Sequence, residues 1–467
     1  MSAIASDRGP ALADDRTSAA VDGRLLTWNR ALAALVLVVW LVPIKLYTLP
    51  VHLPFSLELY RLLLIVLLCV WAAAIVRGRK TIGAGGLGKP LVVLAGVAAL
   101  SIAANIHAIV DGGLQTQALK SLSYFLSFLL AYVLVFSTVD GVRGVRTVAK
   151  ALVAGGVVVA VAALYESRTH DNVFQHLHAW LPLLKPTHAV SAPHVRDGQL
   201  RVTASAQHPI ALGAALVTAL PFALYFATHA RTRARAWAAW AGAALLLAGA
   251  AATVSRTVVL MLLAMLAVGL LLRRGEIARR WPVLLVIAVA VHFGSPGAVS
   301  HLYRAFFPRQ GLQSSLDARS GAVGSGRLAD LGPAWRAWEQ TPFFGHGLGT
   351  GVDPATTSGP GPAAGAIVDP KTGAPIVFDD QYLNSVVSIG ALGIVGVVWF
   401  VWGAGIALVR RGRERLGRTD DLVVACAASV AGYAAGMFTF DAFSFVQCTL
   451  LFFVVVALGM KLRALET

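Results

Sequence analysis

Apolar residues run through this chain in blocks of the length a bilayer requires, roughly 20 mostly apolar residues per spanning helix. Twelve blocks stand out: 30–48, 58–76, 88–106, 119–138, 147–166, 208–228, 237–254, 256–272, 281–296, 391–409, 421–439 and 445–461. Polar residues are pushed into the connections between them. The seventh and eighth blocks nearly touch, with little but Ser255 and Arg256 to divide them. Glycine and alanine are frequent inside the blocks, as suits helices that approach closely in lipid. The pattern predicts an all-α, polytopic integral membrane protein of about 12 transmembrane helices.

Alternate connections are basic: RGRK (77–80), RGVR (143–146), RTRAR (231–235), RRGEIARR (273–280) and RRGRERLGR (410–418). With the N-terminal segment, Lys89, Lys150, Lys461 and Arg463, this side carries 25 of the 39 lysines and arginines. Cytoplasmic loops hold the excess of basic residues, so this side and both termini are expected in the cytoplasm. The first 28 residues are polar and lack the apolar stretch of a cleavable signal. The expected organisation is a cytoplasmic tail at 1–29, then helices one to nine over 30–296 with an external loop at 167–207. A large extracytoplasmic loop follows at 297–380, then helices ten to twelve and a short cytoplasmic tail at 381–467. Loops beyond about 12–15 residues are uncommon unless functional or disordered. The large one opens with HLYRAFFPR (301–309). An amphipathic helix is predicted over 326–341, with Leu328, Leu331, Trp335 and Trp338 at helical spacing, before a Gly/Pro/Ser/Thr-rich stretch at 345–376.

Composition narrows the class. Hydrophobic residues make up 57% and charged residues 13%, about half the charge of a soluble protein. Mean hydropathy is +0.71. A soluble enzyme, a secreted domain and a DNA-binding protein are excluded. The net charge of +16 belongs to loops facing the cytoplasm, and nucleic acid is not an expected partner. Cys69, Cys426 and Cys448 lie in apolar runs and read as small packing residues.

The centres of the blocks are almost blank. Ionisable groups gather at their external ends: Glu58, Arg61, Lys120, Glu166, Arg256, His292 and Asp441. Charges in lipid usually line functional cavities, so these predict a ring around one external mouth. Transporters place theirs nearer the midplane. Arg201 (RVTASAQHP, 201–209), Arg256 (TVSRT, 253–257) and Arg327 (SGR, 325–327) are suited to holding phosphate oxygens. Snorkelling to lipid headgroups is the ordinary account of a lone external arginine; phosphate binding is the better account of Arg256, flanked by apolar blocks. The external histidines (His170, His176, His178, His188, His194, His208, His301, His346) are irregularly spaced, and no HxxxH with a glutamate base appears, so no metal site is expected. His346 sits between glycines in GHGLGTG (345–351), as a general base or as an ordinary loop residue. Asp379 and Asp380 open VFDDQYLNSVVSIGALGIVG (377–396). An N-cap accounts for one of them; the other is available as a base or for a sugar hydroxyl.

Three segments in order resemble the O-antigen ligase and polymerase superfamily of bacterial membrane glycosyltransferases. They are SGRLADLGPAWRAWEQTPFFGHGLGTG (325–351), DDQYLNSVVSIGALGIVG (379–396), and the Ser-Arg of TVSRT preceded by the Arg201 segment. The resemblance covers roughly residues 150–400; the first 150 match by hydropathy only. It implies transfer of a glycan from undecaprenyl diphosphate, at the outer leaflet of the bacterial inner (plasma) membrane, to lipid A core or another glycan. It implies Arg201 and Arg256 on the diphosphate; Arg327 and Lys120, as external cations, are expected as further donor-binding residues, and no cofactor or metal is expected. Many ligases carry a histidine where this chain has Asp379, so the resemblance leaves Asp379, Asp380 and His346 as candidate bases, and ligation and polymerisation both open. A lipid-linked glycan flippase is the expected rival; it should show two pseudo-symmetric halves and a charged central cavity.

Overall fold

The computed structural model describes residues 27–50, 57–187, 195–196, 199–294, 325–350, 378, 380–414 and 418–465. Of these, 78% are helical, in fourteen α-helices. They are α1 (Trp28–Leu41), α2 (Leu59–Val76), α3 (Gly88–Ala104), α4 (Ile106–Asp111), α5 (Gln115–Thr138), α6 (Gly141–Thr169), α7 (Leu177–Trp180), α8 (Pro209–Thr228), α9 (Arg233–Ala252), α10 (Arg256–Gly294), α11 (Ser325–Gln340), α12 (Gln381–Glu414), α13 (Arg418–Gly436) and α14 (Val446–Ala464). The helix expected over 326–341 is α11.

Eight helices are long and apolar enough to cross a membrane: α2, α5, α6, α8, α9, the first limb of α10, α12 and α14. Three shorter ones, α1, α3 and α13, are apolar as well. Their outward faces carry large hydrophobic side chains in contiguous stripes. Leu62, Ile65, Val66 and Val70 are exposed on α2, and Leu392, Val395, Val398, Trp399, Trp402 and Ile406 on α12. Patches of this extent are not left to water.

α14 stands in the middle, packed against α5, α8, α13, α6 and α12. Small residues set how closely the others approach. A Cβ at Gly155 or Gly156 of α6 would run into the Trp40 ring of α1, so a Gly-Gly pair lets a whole indole sink between two helices. Two pairs of very short strands dress one end of the bundle. β1 (Tyr47–Thr48) pairs antiparallel with β2 (Lys185–Pro186), and β3 (Val195–Arg196) with β4 (Gln199–Leu200).

The structure revises one boundary. The eighth and ninth apolar blocks were expected as separate helices around a loop at 273–280. They are two helical limbs, numbered together as α10, that meet at a kink where Arg273 leaves helical geometry (φ −142°, ψ 44°), and the rest of the expected loop is helical. Arg273 Nη1 donates to the carbonyls of Leu272 (2.9 Å) and Gly412 (3.0 Å), and its Nε donates to Asp421 (2.8 Å). An arginine folded back onto the backbone makes this bend, so periodicity alone does not show it.

Candidate functional site

The segment after β4 reaches the start of α8 through a turn with an unusual backbone. Ala204 is left-handed (φ 44°). Glu166, at the end of α6, holds this turn: its carboxylate accepts from the amides of Thr203 (3.1 Å) and Ala204 (2.7 Å). Facing it, α9 ends and α10 begins within four residues, Thr253 to Arg256. Val254 is left-handed here too (φ 49°), a conformation that crowds a β-branched side chain. Each such residue costs about 1–3 kcal/mol and persists only where its surroundings impose it. Arg201 imposes part of it, donating from Nε to the Thr253 carbonyl at 3.1 Å. Arg201 thus reaches, through the Thr253 carbonyl, the turn that ends at Arg256. Arg256 opens a helix, where the backbone dipole already presents positive charge. A second cation beside it makes the turn a place that attracts anions.

The far side of α10's first turn is fixed by a hydroxyl pair, Thr257 to Thr439 at 2.7 Å. Thr439 belongs to the turn that follows α13. The start of α12 docks on the same turn: the Gln381 amide donates to the Met437 carbonyl (2.9 Å), and Gln381 Oε1 accepts from the Phe443 amide (2.6 Å). Asp380 caps α12, its Oδ1 accepting from the amides of Tyr382 (2.7 Å) and Leu383 (3.2 Å). The capping role expected for one of the two aspartates thus falls to Asp380. Asp379 lies outside the described residues.

The polar contacts continue around this end of the bundle. Ser444 donates to Asp441, and Lys45 donates from Nζ to the Ser444 carbonyl (3.2 Å) and from its amide to Glu58 (2.9 Å). Glu58 pairs with Arg61 at 3.5 Å, and that guanidinium lies 3.9 Å from the centre of the Tyr124 ring. Arg61 Nη2 donates to Ser123 Oγ (3.3 Å), which donates to the Lys120 carbonyl (2.7 Å). Lys120 itself is exposed and joins the rim through its backbone. Glu58, Arg61, Lys120, Glu166, Arg256 and Asp441 all belong to one rim, as their positions at the ends of the blocks imply. The side chains of His292 and Arg327 lie outside the described residues, although Arg327 falls in the first turn of α11.

His346 is placed by backbone geometry. α12 breaks at Gly390 (φ 68°, ψ −170°), which frees carbonyls above the break and amides below it. The 342–347 segment supplies their partners. His346 and Gly347 donate to the carbonyls of Val387 (2.9 Å) and Ser388 (3.1 Å), and the Ala391 amide donates to the Pro342 carbonyl (2.8 Å). A loop is thereby inserted into the hydrogen-bond ladder of a helix. The glycines make this possible: a Cβ at Gly345 would overlap the Val387 carbonyl, and one at Gly390 the Phe343 carbonyl. Gly345, Gly347 and Gly349 all have positive φ. The His346 ring donates from Nε2 to the Ala337 carbonyl (2.8 Å), which leaves the lone pair on Nδ1. His346 attaches to α12 about two turns beyond the Asp380 cap, and Gly349 packs against the α5 turn at Gln117 and Ser121, next to Lys120.

The other described histidines of the set expected outside have local roles. His170 closes α6 in a left-handed conformation, His176 contacts Asp171 (3.0 Å), and His208 caps α8. His188, His194 and His301 lie outside the described residues.

Residue-by-residue reading overlooked Thr253, whose carbonyl receives Arg201, and Ser101 and Asn105, which hold the Ser388 and Gly345 carbonyls at 2.8 Å each. It also overlooked Gln207 and Ser255. The Gln207 amide atoms and Ser255 Oγ are buried with no hydrogen-bond partner among the described residues. Both stand in segments, SAQHP and TVSRT, that the arginines had already marked.

Helices of this length and lipid-facing composition define an α-helical membrane protein with a polar, arginine-bearing rim at one end. No family model matches the sequence, and no curated protein does.

Proposed function

We propose that this is a metal-independent membrane glycosyltransferase of the O-antigen ligase type, which moves a glycan from undecaprenyl diphosphate to an acceptor at the outer leaflet. The observation that carries the reading is the convergence of Arg201 and Arg256 on the strained turn at Thr253–Arg256. The leaving group is a diphosphate whose charge grows as the glycosidic bond breaks. Fixed cations at the membrane edge stabilise that charge without rearranging. The acceptor hydroxyl attacks the anomeric carbon from the opposite face, the bond to the diphosphate oxygen breaks, and the configuration inverts. The acceptor proton passes to a base, either Asp379 or His346 through Nδ1. Asp380 serves as helix cap. Arg327 and Lys120 complete the donor site. The eleven apolar helices and the second limb of α10 make twelve spans. The basic loops and both termini then face the cytoplasm of a bacterial inner membrane, and 297–380 lies outside.

Polymerisation, with a second lipid-linked glycan as acceptor in place of lipid A core, is the alternative that Asp379 favours, since it stands where many ligases have histidine. The test is transfer by purified protein from a synthetic undecaprenyl-diphosphate glycan, with each acceptor class supplied in turn. Arg201→Ala and Arg256→Ala should each lose about 10²–10³ in turnover with unchanged protein level, and the Lys variants should recover only part of it. Activity at the wild-type level in both Ala variants would remove the diphosphate assignment; no transfer to either acceptor by the unaltered protein would remove the enzyme.

A further inference from the structure

At the end of the bundle opposite the rim, α3 and α12 part to leave an open groove of about 480 Å³, lined by Gly88, Lys89, Val92, Val93 and Trp399. Below it the helices are in contact, with Gly396 against Val93 and Leu94. The walls are apolar and face lipid: Val92 and Trp399 are exposed. The mouth is cationic. Lys89 is exposed at the first turn of α3, and the Arg463 guanidinium lies beside Gly86. The positive end of the α3 dipole points the same way, and Leu87 at its N-cap adds no side-chain bond to the first amides. No acidic side chain lines the groove. Asp140, between α5 and α6, is engaged by Lys80 at 2.6 Å. An apolar slot with basic side chains at its mouth, no acid among its lining residues and an indole at its wall matches one chemistry: an acyl chain joined to an anionic headgroup.

We propose that this groove is a binding site for an anionic glycerophospholipid, with the headgroup phosphate at Lys89 and an acyl chain along Val92, Val93 and Trp399. A zwitterionic lipid carries its own cation next to the phosphate and gains little from Lys89. The site is independent of the transferase reading and is tested without any transfer assay.

The protein is reconstituted in phosphatidylcholine vesicles that contain either dibrominated phosphatidylglycerol or dibrominated phosphatidylcholine at the same fraction. The chain has 11 tryptophans, so the Trp399 share of the fluorescence is taken as the difference from Trp399→Phe. At low ionic strength the brominated phosphatidylglycerol should occupy the groove about fivefold more favourably, the worth of one basic contact. Lys89→Arg should keep that preference and Lys89→Gln should lose it. Equal quenching by the two lipids, or a preference that survives Lys89→Gln, overturns the proposal. Native mass spectrometry gives a second readout that does not need Trp399→Phe: one phosphatidylglycerol retained by the unaltered protein and lost from Lys89→Gln. Equal retention by both proteins would also overturn it.

Discussion

Asp380 and Gly390 show how a residue's chemistry depends on the backbone beneath it. Asp380 is acidic, sits at the start of a helix and is adjacent to a second aspartate, which reads as catalytic until its Oδ1 is found bonded to two helix amides. Replacing a cap by Ala costs about 1 kcal/mol, whereas Asn caps as well as Asp. Asp380→Ala should therefore lower thermal stability by about that amount and leave turnover per folded molecule near normal, and Asp380→Asn should change neither. A loss of turnover by orders of magnitude in Asp380→Asn would return the base to this position. Gly390 occupies a backbone region reserved for glycine, with the Phe343 carbonyl where a Cβ would go. Gly390→Ala should destabilise by at least about 3 kcal/mol and release the His346 loop. Gly405, on the same helix, meets a neighbour only at ordinary contact distance. Gly405→Ala should be neutral or gain up to about 1 kcal/mol. Melting curves of the two variants in detergent, monitored side by side, check the contrast. The glycines of GHGLG were visible in the sequence, and so was the idea that backbone approaches something there. What it approaches is α12, more than forty residues along, and no local pattern encodes that.

Helices were legible as elements because a 20-residue apolar block has few alternatives in lipid. Their interruptions were less so. The division between α9 and α10 was readable at Ser255-Arg256, where polar residues break the run. The break in α12 lay hidden inside SIGALGIVG, since glycine inside a spanning helix is commonplace. The bend in α10 was hidden for another reason: it depends on partners from three other elements. Asp421 of α13 receives Arg273 at 2.8 Å and His229, at the end of α8, at 2.9 Å, while Gly412 of α12 receives Arg273 through its carbonyl. These side chains are 10–19% exposed, so the charges are largely withdrawn from water. Removing one partner of such a cluster strands the others, at about 3–5 kcal/mol for a fully buried pair. Asp421→Ala should lower stability by about 3 kcal/mol and straighten or loosen α10. Unfolding followed by intrinsic fluorescence measures the first, and a spin-label pair across Arg273 the second. An unchanged melting temperature would reduce the cluster to surface decoration.

At the scale of the whole molecule, the rim was predictable as a set of ends but not as a connected structure. Hydropathy places Glu58, Glu166, Arg256 and Asp441 at one level of the membrane; only packing decides that Arg201 meets Thr253 and that Thr257 meets Thr439. The topology carries its own prediction. Thr356→Cys should react with an impermeant thiol reagent in cells whose outer barrier has been opened, before the inner membrane is lysed. Background should be low, because Cys426 and Cys448 are buried and Cys69 faces outward from an apolar helix. Labelling only after lysis would invert the orientation. α14 has a further consequence. Its apolar window is 89% buried inside the protein, against 28% for α2, and from it Gln447 reaches Ser205 and the Val39 carbonyl. The central helix thus follows in sequence the helices it packs among, so during synthesis they are made before the element that fills the space between them. A chain cut before Val446 should leave the Ser205 segment, which leads on from Arg201, without its Gln447 partner, and pulse-chase turnover of that truncation should be faster than that of the full chain.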